Sequence, residues 1–306
     1  MENVSGVKVF HLSVLNETWT SRYFLFSLTL FVYSLILFVN VMLILTITLQ
    51  NALHEPMYMF LCNLCINGLY GTAGFYPKFL SDLLSGHHVI SYEGCFLQAF
   101  VIYSSVQCEF STLTVMSYDR YVAICKPLMY HSIMTGQMVY KLITFCWLFP
   151  YFMMSLLIAL SRRLTLCGSH IDKLYCENWS IVKLSCEATV VNNVTGFIVI
   201  LTFLVFAIFT TVSYIKLISV CTKSREDRIK FMQTCVPHLC ALTNFTVTLM
   251  FDTMYSRYGS RDISERLRNF LALQFLIIPP LFNPIIYGLK LTEVRKRLLK
   301  QCRSLK

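Results

Sequence analysis

The sequence predicts an all-α membrane protein, a seven-transmembrane helix bundle with a short amphipathic C-terminal helix. Three observations predict it. Of 306 residues, 56% are hydrophobic and only 14% are charged, whereas soluble domains are roughly a quarter charged. Seven apolar stretches are long enough to cross hydrocarbon about 30 Å thick, which takes about 20 helical residues. None shows the strict alternation of a barrel strand, and lipid offers open backbone groups no partners, so each stretch must be helical.

The elements follow in chain order. Residues 1–22 are mostly polar and lack the apolar core of a cleavable signal. They are expected to form an extracellular N-terminus, with the first span as its own insertion signal. The spans fall at 23–49, 57–84, 96–122, 142–160, 196–220, 231–255 and 270–289. Residues 23–289 therefore read as one transmembrane domain, without an internal repeat or a long linker. Its longest connection, 161–195, joins the fourth and fifth spans. Residues 290–306 read as a basic amphipathic tail suited to anionic lipid at the cytoplasmic face.

Charge sets the expected orientation. The net charge is +10. With the N-terminus outside, the cytoplasmic segments collect 15 of the 26 Lys and Arg residues but 5 of the 16 Asp and Glu residues, in the sense of the positive-inside rule. The basic excess thus belongs to a membrane face rather than to a nucleic-acid footprint. Glycosylation triplets begin at Asn3 and Asn16 in the N-terminus, at Asn178 in the long outer loop, at Asn193 near the fifth span and at Asn244. Asn244 lies inside a span, and a glycan needs an exposed loop.

The 13 cysteines divide by compartment. Cys95, Cys167, Cys176 and Cys186 fall outside, where oxidising conditions favour disulfides. Four cysteines allow three pairings, and spacing does not choose among them. The others read as small buried hydrophobes, except Cys302, which beside the basic tail is a candidate for acylation.

Two motifs carry chemistry. The run MSYDRYVAIC at 116–125 places charge at the inner end of the third span, where charge is expensive and usually functional. Asp119 and Arg120 are adjacent, so they do not share a face as i,i+4 neighbours would, yet they can pair at the water boundary. An ordinary interfacial ion pair is the plain alternative; the KPLMYH that follows at 126–131 makes the stretch specific. The run PLFNPIIY at 280–287 is the second motif. Pro284 removes a backbone donor and frees a carbonyl, and Asn283 can offer a side-chain bond nearby. The alternative is a simple kink of the kind membrane helices tolerate.

These two runs resemble those of rhodopsin-like G-protein-coupled receptors. PMYMFL at 56–61, Ser213-Tyr214, KFMQTCVPHL at 230–239 and three cysteines in the long outer loop narrow the resemblance to the odorant receptors, over the whole chain. It implies a plasma-membrane receptor that binds a small odorant in the outer half of the bundle. It further implies activation of a heterotrimeric G protein of the stimulatory olfactory type, raising cyclic AMP. The implied partners are a small-molecule odorant, that G protein and membrane lipid, with no nucleic acid, no cofactor and no enzymatic activity. The matching positions give Asp119 as the resting partner of Arg120, with Tyr121 completing the motif. Arg120 would help receive the C-terminal helix of the G-protein α subunit after the sixth helix swings outward. Tyr214 and Tyr287 match tyrosines that swing inward, near Asn283 and Pro284. Such a bundle has two states, which ligand binding biases. The resemblance also implies the pairings Cys95–Cys176 and Cys167–Cys186.

Two departures stand out. Where many rhodopsin-like receptors carry an Asp that helps hold sodium, this chain has Gly68, beside Asn67. Glu109 matches an acid typical of odorant receptors; it is the candidate sodium ligand, with Asn67 and Asn283, or else a protonated carboxyl. Phe245-Thr246 stands where many odorant receptors have Phe-Tyr, so the usual aromatic switch is incomplete.

The expected ligand pocket lies between the outer halves of spans three, five, six and seven. Its candidates are Tyr103, Val106 and Gln107, then Ile198 and Thr202, then Phe251 and Met254, and Leu273, with ordinary helix packing as the alternative for each. Arg257 lies where some odorant receptors place an Arg that binds a carboxylate. With Gln107, Tyr255 and Tyr258 it points to an anionic or strongly polar odorant; the alternative is a solvated cation paired with Asp252 or Asp262. A transporter would show two related halves, and an intramembrane enzyme would pair its catalytic groups, whereas Glu109 and His238 stand alone by spacing. A non-olfactory chemosensory receptor of the same family remains an open reading.

Overall fold

The computed structural model describes residues 7–13, 19–221, 225–259 and 265–290. Asn3, Asn16, Asp262, Cys302 and the tail 291–306 lie outside the described residues, as do the side chains of His238 and Tyr287. The helices are α1 (Trp19–Leu49), α2 (Pro56–Ser85), α3 (Tyr92–Cys125), α4 (Tyr130–Ile133), α5 (Gly136–Ser161), α6 (Asn178–Val182), α7 (Val190–Cys221), α8 (Arg225–Tyr258) and α9 (Glu265–Lys290). Seven of them run 26 to 34 residues, about 39–51 Å at the helical rise. They form a seven-helix membrane bundle.

Three stretches among the described residues, Thr20–Leu49, Gly136–Ser161 and Val190–Ser219, are apolar enough to cross a membrane when judged singly. α2 and α3 carry more polar groups, and many of these are buried against protein rather than turned to lipid. α3 is the clearest case, buried without a break from residue 104 to residue 117. Polar side chains inside a membrane are tolerated where the bundle interior receives them. Thus Asn63 donates to Thr112 Oγ1 at 3.0 Å and accepts from Trp147 Nε1 at 2.6 Å, tying α2, α3 and α5 together.

Local chemistry sets several helix ends. Pro56 opens α2, where the absence of an N–H costs nothing. The hydroxyl of Ser91 accepts from the N–H of Gly94 at 3.2 Å to cap α3, and Thr135 does the same for Met138 at 3.3 Å on α5. Gly86, at φ 72°, ends α2 in the left-handed conformation that favours glycine.

The hydrogen bond that Pro284 removes is replaced from another helix. Pro284 leaves the Pro280 carbonyl without its helical donor. Asn40 of α1 supplies one, its Nδ2 donating to Pro280 O at 2.8 Å. Gly68 permits this approach: a Cβ there would stand 3.3 Å from Asn40 Oδ1 and 3.6 Å from Pro280 Cβ. Asn283, expected to help at the kink, donates instead to Glu109 Oε1 at 2.8 Å.

One end of the bundle carries a small sheet of order β2-β1-β3, with β1 at Val9–Leu12, β2 at Val89–Ser91 and β3 at His170–Ile171. β1 pairs antiparallel with β2, Phe10 opposite Ile90, and parallel with β3, Leu12 opposite Ile171. Phe10, Leu12, Ile90, Phe96 and Ile171 form an apolar cluster beneath it. The disulfides Cys95–Cys176 and Cys167–Cys186 pin the 161–189 connection to this end, with Cα separations of 5.3 and 5.2 Å. The sequence reading of residues 1–22 as a polar terminus missed β1, which is too short to show a period.

Candidate functional site

Beneath the sheet end a cavity of about 100 Å³ opens between α3, α5, α7, α8 and the segment at the start of α6. α3 contributes Tyr103, Val106 and Gln107; α5 contributes Met154 and Leu157. Glu177, Asn178 and Trp179 close it from the connection. α7 lines it with Asn192, Gly196, Val199, Ile200 and Phe203, and α8 with Leu249, Met250, Thr253 and Arg257. The α7 and α8 sets recur at three- and four-residue steps, the signature of one helix face.

The cavity takes in some of the expected side chains and leaves out others. Tyr103, Val106, Gln107 and Arg257 line this cavity, but Ile198, Thr202, Phe251 and Met254 do not. Ile198 is half exposed on the outer surface of α7, and the Thr202 hydroxyl bonds back to Ile198 O. Phe251 stacks on Tyr255 at 5.5 Å. Each lies one or two positions from a residue that does face inward, and at 100° per residue that rotates a side chain off the wall. Leu273 lines a second cavity, between α1, α2 and α9. α5 takes the place the sequence had given to α9.

The direct contacts of Arg257 are neutral, although Glu177 lines the same cavity. Its Nη1 donates to Asn193 Oδ1 at 2.7 Å, and its guanidinium lies 4.1 Å from the Trp179 ring centre and 4.8 Å from that of Phe197. The flat, delocalised cation suits such stacking. Gly196 makes room, since a Cβ there would collide with the guanidinium. Four buried polar atoms of the cavity-lining residues have no hydrogen-bond partner among the described residues: Arg257 Nε, Trp179 Nε1, Gln107 Oε1 and Asn178 Oδ1. Two are donors and two are acceptors. Asn178 itself is only partly buried.

Asp252 is not the partner of Arg257. It is buried and receives Lys173 Nζ at 2.7 Å and the Tyr103 hydroxyl at 3.1 Å. Lys173 also reaches Glu177 at 2.8 Å. Burial acts to lower the Lys173 pKa, but Asp252 and then Glu177 outweigh it and hold the lysine above its ordinary value. Two carboxylates thus compensate one lysine, and the connection is clamped to α8. Sequence reading missed this pair: the partners lie 79 residues apart, and a loop lysine ordinarily reads as a solvated charge.

Below the cavity runs an aromatic chain. Phe203, in the wall, meets Phe110 edge-on at 5.6 Å, and Phe110 lies 6.0 Å from Phe245 of α8. Deeper, Glu109 is buried and bonded to Asn283, while Asn67 Nδ2 donates to Ser105 O at 3.0 Å. Among the described residues no three His, Cys, Asp or Glu side chains cluster as a metal site.

At the far end, Arg120 Nε donates to Asp119 Oδ2 at 2.9 Å, and Asp119 is almost fully buried. Tyr130, just past α3, donates its hydroxyl to Asp119 Oδ1 at 2.8 Å. Burial, followed by the Asp119 charge, raises the Tyr130 pKa, so the phenol stays a donor. Tyr214 is buried with Leu217 against Tyr121 and Ile124. Asn283 and Pro284 are buried in α9.

A family profile described as olfactory receptor matches residues 29–304. The chain belongs to the olfactory receptor family. Three human relatives give the scale of the similarity. Olfactory receptor 52D1 of Homo sapiens is 36% identical over 266 residues, 85% of this chain and 83% of that one. Olfactory receptor 2A12 of Homo sapiens is 36% identical over 289 residues, 92% of each chain. Olfactory receptor 51E1 of Homo sapiens is 35% identical over 265 residues, 85% of this chain and 83% of its own. This member is accordingly a multi-pass membrane receptor.

Proposed function

We propose that this odorant receptor binds a small, acceptor-bearing odorant in the cavity beneath the sheet and transmits binding to a heterotrimeric G protein at the Asp119–Arg120 end. The observation that carries the ligand reading is Arg257, a cavity cation whose hydrogen-bonded and stacked partners are neutral and whose Nε lacks an acceptor, while the Glu177 carboxylate of the same cavity is held by Lys173. A carboxylate or strongly polar group would accept from Arg257 and Trp179, while Gln107 and Asn178 offer acceptors for a second group. The small volume favours a compact molecule.

The sheet end and N-terminus lie outside the cell, with Asn3 and Asn16 as glycan acceptors, and the 290–306 tail lies on the cytoplasmic face. Residues 23–289 are the transmembrane unit between them. Ligand contact with Phe203 is relayed through Phe110 to Phe245 on α8, and the side chain at 246 is not required in that chain. Outward movement of α8 then frees Arg120 from Asp119 to receive the G-protein helix, as Tyr214 and Tyr287 turn inward around the Asn283-Pro284 kink. The stimulatory olfactory G protein and rising cyclic AMP follow from family membership.

The test is a cyclic AMP assay of surface-expressed receptor against acids, amines, alcohols and steroids, beside Arg120→Ala. A response lost in Arg120→Ala is expected, with acids the active class. Arg257→Ala should then raise the half-maximal concentration of an acid about tenfold or more, because a hydrogen-bonded charge contributes about 1.5–3 kcal/mol. Unchanged acid responses in Arg257→Ala would sink the carboxylate reading while leaving the receptor assignment in place.

A further inference from the structure

Two of the seven histidines stand side by side on the outer face of the small sheet. Strand alternation puts them there. On β1, Phe10 and Leu12 turn toward the bundle while Val9 and His11 turn away; on β3, Ile171 turns in and His170 turns out. The parallel register sets His11 directly opposite His170. It is fixed by the His11 N–H donating to Ser169 O at 2.8 Å and the Ser13 N–H donating to Ile171 O at 3.0 Å. Neighbouring strands lie about 4.8 Å apart, so the two imidazoles share one patch of surface. Asp172 joins them from two residues along. Its Oδ1 is 3.4 Å from His170 Nε2, and the two side chains are 71% and 63% exposed. That separation is long for a hydrogen bond. It matches two atoms bound to one tetrahedral zinc, which stand about 3.4 Å apart when each bond is about 2.0–2.1 Å.

Two imidazoles and a carboxylate are a ligand set for zinc, with water in the fourth position. We propose that His11, His170 and Asp172 bind a zinc ion on the outer face of the sheet and so fasten the N-terminal strand to the 161–189 connection. The three side chains do not converge as they stand. The exposed His11 ring completes the set by turning about its own side-chain bonds, with the backbone unmoved. Calcium and magnesium prefer oxygen ligands and do not suit a pair of imidazoles. The place in the chain gives the ion its consequence. Asp172 precedes Lys173, which is bonded to Asp252 of α8, so the metal sits one residue from the bond that clamps the connection to the bundle. None of its three ligands lines the odorant cavity, and the site stands independently of the odorant reading and of G-protein coupling.

The test is isothermal titration of zinc into the purified, tag-free, full-length receptor in detergent. One saturable ion per receptor is expected, bound equally well in excess magnesium. His11→Asn and His170→Asn should each weaken it about tenfold or more, since even groups that only orient metal ligands are worth that much. His87→Asn, which alters an exposed histidine outside the paired positions, should leave it unchanged. Zinc should raise the melting temperature of the wild type and not that of the His11 or His170 variant; melts without zinc verify that all three variants fold. A second measurement needs no variant. Zinc should shield His11 and His170 from acylation by diethyl pyrocarbonate, read by peptide mass spectrometry, and leave His87 reactive. Wild-type affinity in His11→Asn or in His170→Asn would overturn the proposal, and so would equal shielding of His87.

Discussion

Lys173 shows how far a single residue departs from its expected role. In a loop it would be solvated; here it is buried between Asp252 and Glu177. Buried pairs contribute little net stability, but stranding one member is severe, about 3–5 kcal/mol. Lys173→Met and Asp252→Leu should therefore each lower the melting temperature and surface yield of the receptor markedly. The double variant should recover part of the loss, since Glu177 keeps the Ser180 hydroxyl at 2.9 Å. Additive losses in thermal melts would mean the pair is not coupled. The folded lysine pKa lies above its unfolded value, so its contribution is complete below about pH 10 and is lost only as pH rises through the folded pKa. The lysine itself should add no pH dependence between pH 6 and pH 9.

At the scale of elements, the gap that Pro284 leaves in the α9 hydrogen bonding is met from α1. Asn40 Nδ2 supplies the donor that Pro284 cannot give to Pro280 O, and Gly68 lets the helices come close enough. Asn40→Leu should cost about 1–3 kcal/mol, the penalty of an unsatisfied buried acceptor. Pro284→Ala brings a backbone N–H back to the same carbonyl. The combination Asn40→Leu with Pro284→Ala should then be more stable than Asn40→Leu alone, as read by thermal unfolding in detergent. A combined loss equal to the sum of the single losses would refute the shared-carbonyl account. The absence of an acid at Gly68, readable in the sequence as a departure, acquires a structural use that one dimension could not show.

Across the whole molecule, the covalent ties act at one end. Cys95–Cys176 joins residues 81 apart, whereas Cys167–Cys186 joins residues 19 apart. Loop-closure entropy grows with the logarithm of loop length, so the long tie should contribute about 1 kcal/mol more. Cys176→Ser is expected to lower the melting temperature more than Cys167→Ser, and calorimetry of the purified variants would check the order. The reverse order would place the stabilisation in local packing of the connection rather than in chain entropy.

The seven spans were legible because apolar length over a bilayer is a property of the chain itself, and so was the Asp119–Arg120 pair, whose members are neighbours in sequence. The family was legible through short runs that stand at fixed places along the chain. Which face of α7 and α8 looks inward was not: Ile198 and Val199 are equally apolar, and only helix packing rotates one toward α3 and the other outward. The sheet at Val9–Leu12 and the Lys173–Asp252 clamp were equally hidden, because each joins segments brought together only by the folded bundle. The cavity walls were decided at that level too. Sequence determined that the chain spans a membrane seven times and that Asp119 and Arg120 pair; tertiary structure decided which distant side chains meet, because contacts between distant segments depend on helix rotation and approach that local composition does not encode.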